Sequence, residues 1–319
     1  MSTMKPFTQN IDGVPRDPHC NPEILKGALE FRAREGDLVL LSFPKSGTHW
    51  VLYIVQLILK KGQPITSYDE FTQNMVYLGL SHPDDLRPSL PLRVISSHYP
   101  LRNEFMSSEA KYIYVTRNPW DVCVSFYHMV TSLSAYRFQD GTFDQFFDAF
   151  LSEDVAGYGN YFDHVVSGYE LKDIPNVFLV TYENLTKDIR GTVLKLARFL
   201  GDSYAADLEK DNRMLNELLE RCSADHMKET MVLDLTTNPN PGIEKMLRRL
   251  DENCKDGHNG DSKKYCFVRE AKVGGWKRYF SQEQLWRMEE AIKKVEEISP
   301  VIELWSDIRE EATAASTEK

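Results

Sequence analysis

Four short apolar runs, rich in β-branched and aromatic residues, punctuate the chain: LVLLSF at 38–43, RVISSH at 93–98, KYIYVTR at 111–117 and NVFLVTY at 176–182. None alternates cleanly between apolar and polar. A strand with one wet face alternates, whereas a strand covered on both faces reads as nearly continuous apolarity, the pattern of parallel strands in an α/β sheet. Helical segments separate the runs. HWVLYIVQLILKK follows the first and PWDVCVSFYHMVTSL the third; ENLTKDIRGTVLKLARFLG follows the fourth and ends on Gly201 as a C-cap. Further helices are expected at 23–34 and at 281–298, the latter behind a Ser281 N-cap. Strands alternating with helices predict a parallel α/β sheet flanked by helices.

Composition narrows the class. The chain has 319 residues, 42% hydrophobic and 27% charged, ample for a sizeable core. With no internal repeat and no linker, residues 1–319 read as a single domain. The net charge of −10 argues against a nucleic-acid binder, though not against a local basic pocket. No apolar run is long enough for a membrane-spanning helix, and residues 1–20 lack a signal-peptide apolar region. Five cysteines, at 20, 123, 222, 254 and 266, form no CxxC pairs and read as reduced thiols of a cytoplasmic protein. Cys254 and Cys266 flank a polar loop and could pair only under oxidising conditions. Residues 1–22, with four prolines, read as an extended lead-in. Residues 238–265 read as a long loop of the kind used as a lid, and 310–319 as a frayed polar tail.

The chemistry concentrates at the ends of the apolar runs. The first run passes through Pro44, Lys45, Ser46, Gly47 and Thr48 straight into an apolar helix. A strand, a tight turn and a helix start aim free backbone N–H groups at one point. Gly47 permits close approach of an anion, Lys45 brings a charge, and Ser46 and Thr48 bring hydroxyls. The usual triphosphate signature G-x-x-x-x-G-K-[ST] is absent. Arg117 ends the third run, with Ser125 eight residues on; taken alone, Arg117 reads equally as a surface ion pair. His98 ends the second run, where a general base would stand, although most histidines are structural. Tyr182 ends the fourth run, as a core plug or a stacking surface. FVREAKVGGWKRYF adds a basic loop with Arg269, Lys272, Lys277 and Arg278.

These segments resemble the cytosolic sulfotransferases. That family carries a 5′-phosphosulfate loop like FPKSGTHW, an RNP-x-D-x-x-x-S segment like RNPWDVCVS and a catalytic histidine in a segment like SSHYPL. It also has a Y-E pair like that in VTYENL and an R-x-x-x-x-G-x-W-K segment like REAKVGGWK. The resemblance covers about residues 25–300. It implies a P-loop-like single domain with a five-stranded sheet and 3′-phosphoadenosine 5′-phosphosulfate as donor. The product would be adenosine 3′,5′-bisphosphate, and no metal would be needed. Lys45, Ser46, Gly47, Thr48 and His49 would hold the 5′-phosphosulfate, and Trp50 would face the adenine. Arg117, Ser125 and Arg269, with neighbouring Glu270 and Ala271, would meet the 3′-phosphate. Tyr182, Cys222, Ser223 and Met227 would complete the nucleotide pocket. His98 would be the base, Lys45 would stabilise the leaving oxygen, and Ser125 would restrain that lysine.

Several positions depart from the family pattern. Glu270 and Ala271 stand where Lys-Gly is common, Gly275 replaces an aspartate, and Ala224 stands where an aromatic covers the adenine. Ser96 replaces a lysine, and His49 a threonine. The usual dimer motif is not met, which implies a monomer or weak dimer. The acceptor is a small molecule: a phenol, a catecholamine-like amine or a steroid-like alcohol. Tyr77, Tyr99, Phe138, Phe143 and Tyr158 would line an apolar slot, and Asp84, Asp85 and Asp140 would attract an ammonium. Two other readings compete: a metal-dependent nucleoside triphosphate enzyme, and a sulfotransferase-like binding protein with little turnover.

Overall fold

A computed structural model describes residues 4–84, 89–100, 104, 106–253 and 263–317. The chain opens with an antiparallel hairpin, β1 (Gln9–Ile11) and β2 (Val14–Arg16), turned by Asp12 and Gly13 at φ 53° and 83°. Helix α1 (Pro22–Leu29) starts behind an Asn21 cap and stops short of the expected residue 34. Then follow β3 (Asp37–Ser42), α2 (Thr48–Leu59), α3 (Tyr68–Gln73), β4 (Met75–Tyr77), β5 (Arg93–Ser97) and β6 (Lys111–Thr116). Next come α4 (Pro119–Ser132), α5 (Phe143–Phe150), α6 (Tyr161–Tyr169), β7 (Val177–Thr181), α7 (Tyr182–Lys187) and α8 (Ile189–Leu200). The remainder is α9 (Asp202–Lys210), α10 (Asn212–Arg221), α11 (Ala224–Thr230), β8 (Val232–Asp234), α12 (Pro241–Asn253), β9 (Lys264–Cys266), α13 (Gln282–Glu296) and α14 (Ser306–Thr317).

The central sheet runs β4-β5-β3-β6-β7, with every described pairing parallel. Its fifth strand is the short β4, three residues with no extended apolar run to announce it. The register sets the functional edge. Leu41 of β3 pairs with Ser97 of β5 and with Tyr114 of β6, and Thr116 pairs with Thr181 of β7. Four strands therefore end at one level, at the point where the chain switches from one side of β3 to the other, and ligands of open parallel sheets bind at such a point.

Helices cover both faces. Helix α2 is buried along nearly its whole length, which explains a sequence apolar all round. Helices α4, α5, α6, α13 and α14 enclose the second core, with Trp120, Trp276 and Trp305 fully buried. Residues 183–201 are not one helix. Asp188 leaves helical geometry and its carboxylate accepts from Gly191 N at 2.8 Å, which ends α7 and starts α8. Gly201 does close α8, but in extended rather than left-handed geometry.

Three of the expected irregular segments are structured. The lead-in forms the β1–β2 hairpin and docks on the body, with Phe7 N donating to Tyr136 O and Asn21 N to Gly79 O. Residues 241–253 form α12, its start capped by the buried Asn240, and 264–266 form β9, which pairs with β8; residues 254–262, with Cys254, lie outside the described residues. The tail is helical to Thr317, anchored by buried Ala312. Cys20, Cys123, Cys222 and Cys266 are free thiols.

At the opposite edge of the sheet, Asp37 is buried (1% exposed) and accepts from Arg93 Nε at 2.7 Å, Arg93 Nη2 at 2.9 Å and Arg34 N at 2.9 Å. Removing one partner of a buried pair leaves an uncompensated charge. Arg93→Ala is expected to cost about 3–5 kcal/mol, read as a lower urea unfolding midpoint. A loss below about 1 kcal/mol would mean that water reaches Asp37.

Candidate active site

The loop after β3 is bent by two left-handed residues, Lys45 at φ 71° and Gly47 at φ 105°. A lysine pays for that conformation and glycine does not. Gly47 is required for a second reason: a Cβ there would stand 2.9 Å from Tyr182 Cδ2. Thr48 opens α2 with its Oγ1 2.7 Å from Ser42 Oγ. The Lys45 ammonium reaches the Tyr265 hydroxyl at 3.4 Å. Ser46 is fully buried, and its Oγ has no hydrogen-bond partner among the described residues.

His98 stands one residue beyond β5. Its Nδ1 lies 2.8 Å from the carbonyl oxygen of Ser42, and a carbonyl only accepts, so Nδ1 carries the proton and Nε2 keeps its lone pair. Burial lowers the His98 pKa, the Ser42 bond opposes that, Asp17 raises it and Lys45 lowers it further. The imidazole is thus held as a neutral base. Its backbone is held from behind by His164, whose Nε2 lies 3.2 Å from the His98 carbonyl oxygen.

Arg117 lies flat on Tyr182, its guanidinium carbon 4.1 Å from the ring centroid. Its Nη2 donates to Lys272 O at 2.8 Å, and its buried Nε has no partner among the described residues. Asp121, 2% exposed, accepts from Gly274 N at 2.9 Å and Trp276 N at 3.2 Å, so the RNPWD and GGW segments are one unit. Glu183 accepts from Asn118 N at 3.0 Å and Trp305 Nε1 at 2.9 Å and ties β7 to the same corner. Trp50 stands edge-on to Tyr182 at 5.2 Å and donates to Cys222 O at 3.0 Å. Ser223 caps α11, and Met227 is buried behind it.

One cavity of about 1230 Å³ joins these groups. Lys45, Gly47, Thr48, His49, Trp50, His98, Arg117, Ser125, Tyr182, Cys222, Ser223, Met227, Arg269, Glu270 and Ala271 all line it; Ser46 does not. Glu270 accepts from Arg269 Nη1 at 2.8 Å and from Arg278, and Arg278 above all holds its carboxyl below the usual range. Ala271 adopts φ 54°, a conformation that glycine enters freely and alanine only at a cost of about 1–2 kcal/mol. Ala224 lines the cavity, whereas Ser96 is buried in β5 and does not.

The acceptor-side expectations fare unevenly. Tyr77 and Tyr158 line the cavity. Phe138 is core, Phe143 packs on Tyr127, Tyr279 and Phe280, and the Tyr99 hydroxyl is spent on Cys20. Asp84 pairs with Arg34 and Arg93 at the far edge of the sheet, Asp140 does not line the cavity, and Asp85 lies outside the described residues. Residues passed over in the sequence supply much of the wall: Ile243, Met246, Leu247 and Leu250 of α12, together with Tyr265, Phe267, Met129, Tyr136 and His19. The i, i+3, i+4, i+7 spacing on α12 is a helical signal that was there to be read.

His49 turns its ring away from the loop. Nε2 lies 3.1 Å from the Tyr77 hydroxyl and 3.4 Å from that of Tyr68, and the ring stacks on Phe267 at 4.0 Å.

Known proteins share this sequence pattern and fold. Residues 35–301 match the profile of the sulfotransferase domain family. The chain is 30% identical over 276 residues to mouse (Mus musculus) sulfotransferase 1B1, covering 83% of this chain and 84% of that protein. It is 31% identical over 279 residues to a 3-alpha-hydroxysteroid sulfotransferase of Cavia porcellus, covering 83% and 85%. The crystal structure of mouse sulfotransferase SULT7A1 complexed with PAP superposes with a TM-score of 0.66 at 25% identity, over 94% of this chain and 99% of that one.

Burial, then the charges of Lys45 and His98, push the His49 pKa down to about 3. The unfolded chain binds a proton at His49 near pH 6.5 and the folded chain does not. The stability this difference supports is full above about pH 6.5 and is lost as pH falls from there towards 3. His49→Gln is expected to lose roughly 2 kcal/mol less than the wild type between pH 6.5 and 5, as read by urea unfolding. Parallel pH profiles would show that His49 is solvated.

Proposed function

The chain belongs to the sulfotransferase family, and on that footing we propose that it moves a sulfuryl group from 3′-phosphoadenosine 5′-phosphosulfate to the hydroxyl or amine of a small cytosolic acceptor, with His98 as base. The observation that carries the reading is the shared cavity: a histidine whose Nε2 has no hydrogen-bond partner among the described residues, a lysine on a phosphate-type loop, and a separate pair of arginines.

The residues fit the donor. Lys45 brings a cation to the cavity wall, the buried Nε of Arg117 lacks a partner among the described residues, and Arg269 adds a second guanidinium. When bound, the donor supplies an activated sulfuryl group. Lys45, Thr48 and the loop amides would hold its 5′ end, and Arg117, Ser125 and Arg269 its 3′-phosphate. Trp50, Tyr182, Cys222, Ser223 and Met227 would enclose the base and sugar. His98 Nε2 accepts the acceptor's proton as its oxygen or nitrogen attacks. Lys45 would offset negative charge on the departing oxygen, and Ser125 would restrain that lysine. Such transfers depend on positioning and electrostatics more than on covalent chemistry. The apolar face of α12, with Tyr158, supports an acceptor with an aromatic or steroid-like skeleton.

The test is transfer of labelled sulfate to a panel of phenols, aromatic amines and steroids. His98→Ala is expected to lose roughly 100-fold or more in rate while still binding adenosine 3′,5′-bisphosphate. Transfer at the wild-type rate would remove His98 from its role. Wild-type binding of nucleotide without transfer to any acceptor would favour a binding protein.

Glu270 pairs with both Arg269 and Arg278, beside the position proposed for the 3′-phosphate. Glu270→Gln is expected to tighten adenosine 3′,5′-bisphosphate by roughly tenfold or more in calorimetry, since charge-assisted bonds to a freed arginine are worth about 1.5–3 kcal/mol. An unchanged affinity would place Arg269 outside the nucleotide site.

A further inference from the structure

The proposed reaction uses one histidine of the cavity, His98, and the cavity holds another. His19 comes from the segment between β2 and α1 and lines the same wall. Ring contacts connect the two: His98 meets Tyr158 edge-on at 5.8 Å, the hydroxyls of Tyr158 and Tyr136 are 3.4 Å apart, and Tyr136 lies 5.1 Å from the His19 ring. His19 is thus joined to His98 along a stretch of cavity wall floored by two tyrosines.

The orientation of His19 is built, not incidental. Asp17, 6% exposed, accepts from His19 N at 2.9 Å and lies 3.2 Å from His19 Nδ1. An ionised carboxylate only accepts, so Nδ1 carries the proton and Nε2 of the neutral ring keeps a lone pair. Nε2 has no hydrogen-bond partner among the described residues and is not one of their buried unsatisfied atoms, and His19 lines the cavity. Three elements hold the segment in place. Gln9 Nε2 donates to the carbonyls of Asp17 and Cys20, each at 2.8 Å. Arg249 of α12 donates to the His19 carbonyl at 2.7 Å. The Gly157 backbone approaches so closely that a Cβ there would sit 2.0 Å from Asp17 N. A buried carboxylate is tolerable only when donors satisfy it, and His19 supplies two of them to Asp17.

We propose that His19, oriented by Asp17, is a hydrogen-bonding subsite for a hydroxyl or amine that the acceptor carries at the end remote from the attacked group. This rests on the sulfotransferase reading and narrows it: the preferred acceptors have two polar ends on an apolar body. An acceptor seated at His98 and lying along Tyr158 and Tyr136 delivers its far donor to His19 Nε2. A purely apolar far end leaves that lone pair dry and unpaired, which is the penalty that makes the subsite selective.

Three probes share one body: 4-ethylphenol, 4-(2-hydroxyethyl)phenol and tyramine. Affinity is read by calorimetry in the presence of adenosine 3′,5′-bisphosphate, and KM and kcat by labelled transfer. The wild type is expected to favour the two donor-bearing probes over 4-ethylphenol by roughly 3- to 10-fold in affinity and KM. His19→Leu and Asp17→Asn are expected to collapse that ratio towards one, and His19→Gln to keep part of it. Thermal unfolding midpoints show whether each variant is folded, and Asp17→Asn keeps the shape of the turn. Equal ratios in wild type and His19→Leu, or failure of all three probes to bind, overturn the subsite. Probe discrimination in calorimetry without transfer leaves the subsite standing and overturns the transferase reading instead.

Discussion

The site depends first on the backbone ladder around β3. Because β3 is hydrogen-bonded on both sides, to β5 and β6, and β6 in turn to β7, the strand ends cannot slide past one another without turning every side chain to the wrong face. That register brings the Ser42 carbonyl beside His98. One peptide carbonyl then decides which imidazole nitrogen holds the proton, and so which faces the cavity. The same ladder puts Arg117 at the level of Tyr182, where the guanidinium lies on the phenol ring.

Two carboxylates, buried Asp121 and half-buried Glu183, turn this edge into a closed corner. Asp121 takes the N–H groups of Gly274 and Trp276, and Glu183 takes those of Asn118 and Trp305. Each is satisfied by several donors, which is what makes a buried acid tolerable. Their effect is to bring a segment more than 150 residues downstream against the start of α4, so that Arg269 and Arg117 share one cavity. The glycines at 274 and 275 belong to this joint. Gly274 takes φ 84° and gives its N–H to Asp121.

Much of this was legible. The four long strands, the parallel sheet and the helices after them follow from continuous apolarity and from caps such as Ser281. The loop, His98 and Arg117 stood out because their residue types suit strand ends. What could not be read arises from tertiary contact. Strand β4 has only three residues, and its place in the sheet is decided by pairing with β5 rather than by propensity. The break at Asp188 replaces one helical turn with a side-chain cap that local sequence does not distinguish from a surface aspartate. The apolar stripe of α12, by contrast, was legible at i, i+3, i+4, i+7, but the polar, glycine-rich composition of 238–265 led to a loop reading. His19 had no signal at all, since its meaning comes from Asp17 on one side and a cavity wall on the other. The side chain of His49 follows two tyrosine hydroxyls and a phenylalanine ring that no reading of the loop alone could supply.

The electrostatics of the cavity explain why two imidazoles sit so near an ammonium. Burial is the largest influence on both His98 and His49, and Lys45 adds to it in each case, so a second positive charge is disfavoured at either ring. A lysine held in a strained left-handed loop therefore acts before any ligand arrives, by keeping its neighbours neutral. His98 differs from His49 in having counterweights: the Ser42 carbonyl and the field of Asp17 both favour its protonated form. A base must be neutral at rest and still able to hold a proton for the lifetime of a transition state. His98 has both the forces that lower its pKa and those that restore it. His49 has only the former, and so serves as a packed aromatic with one hydrogen-bonded nitrogen. The division of labour between the two rings lies in what surrounds them, not in the ring itself.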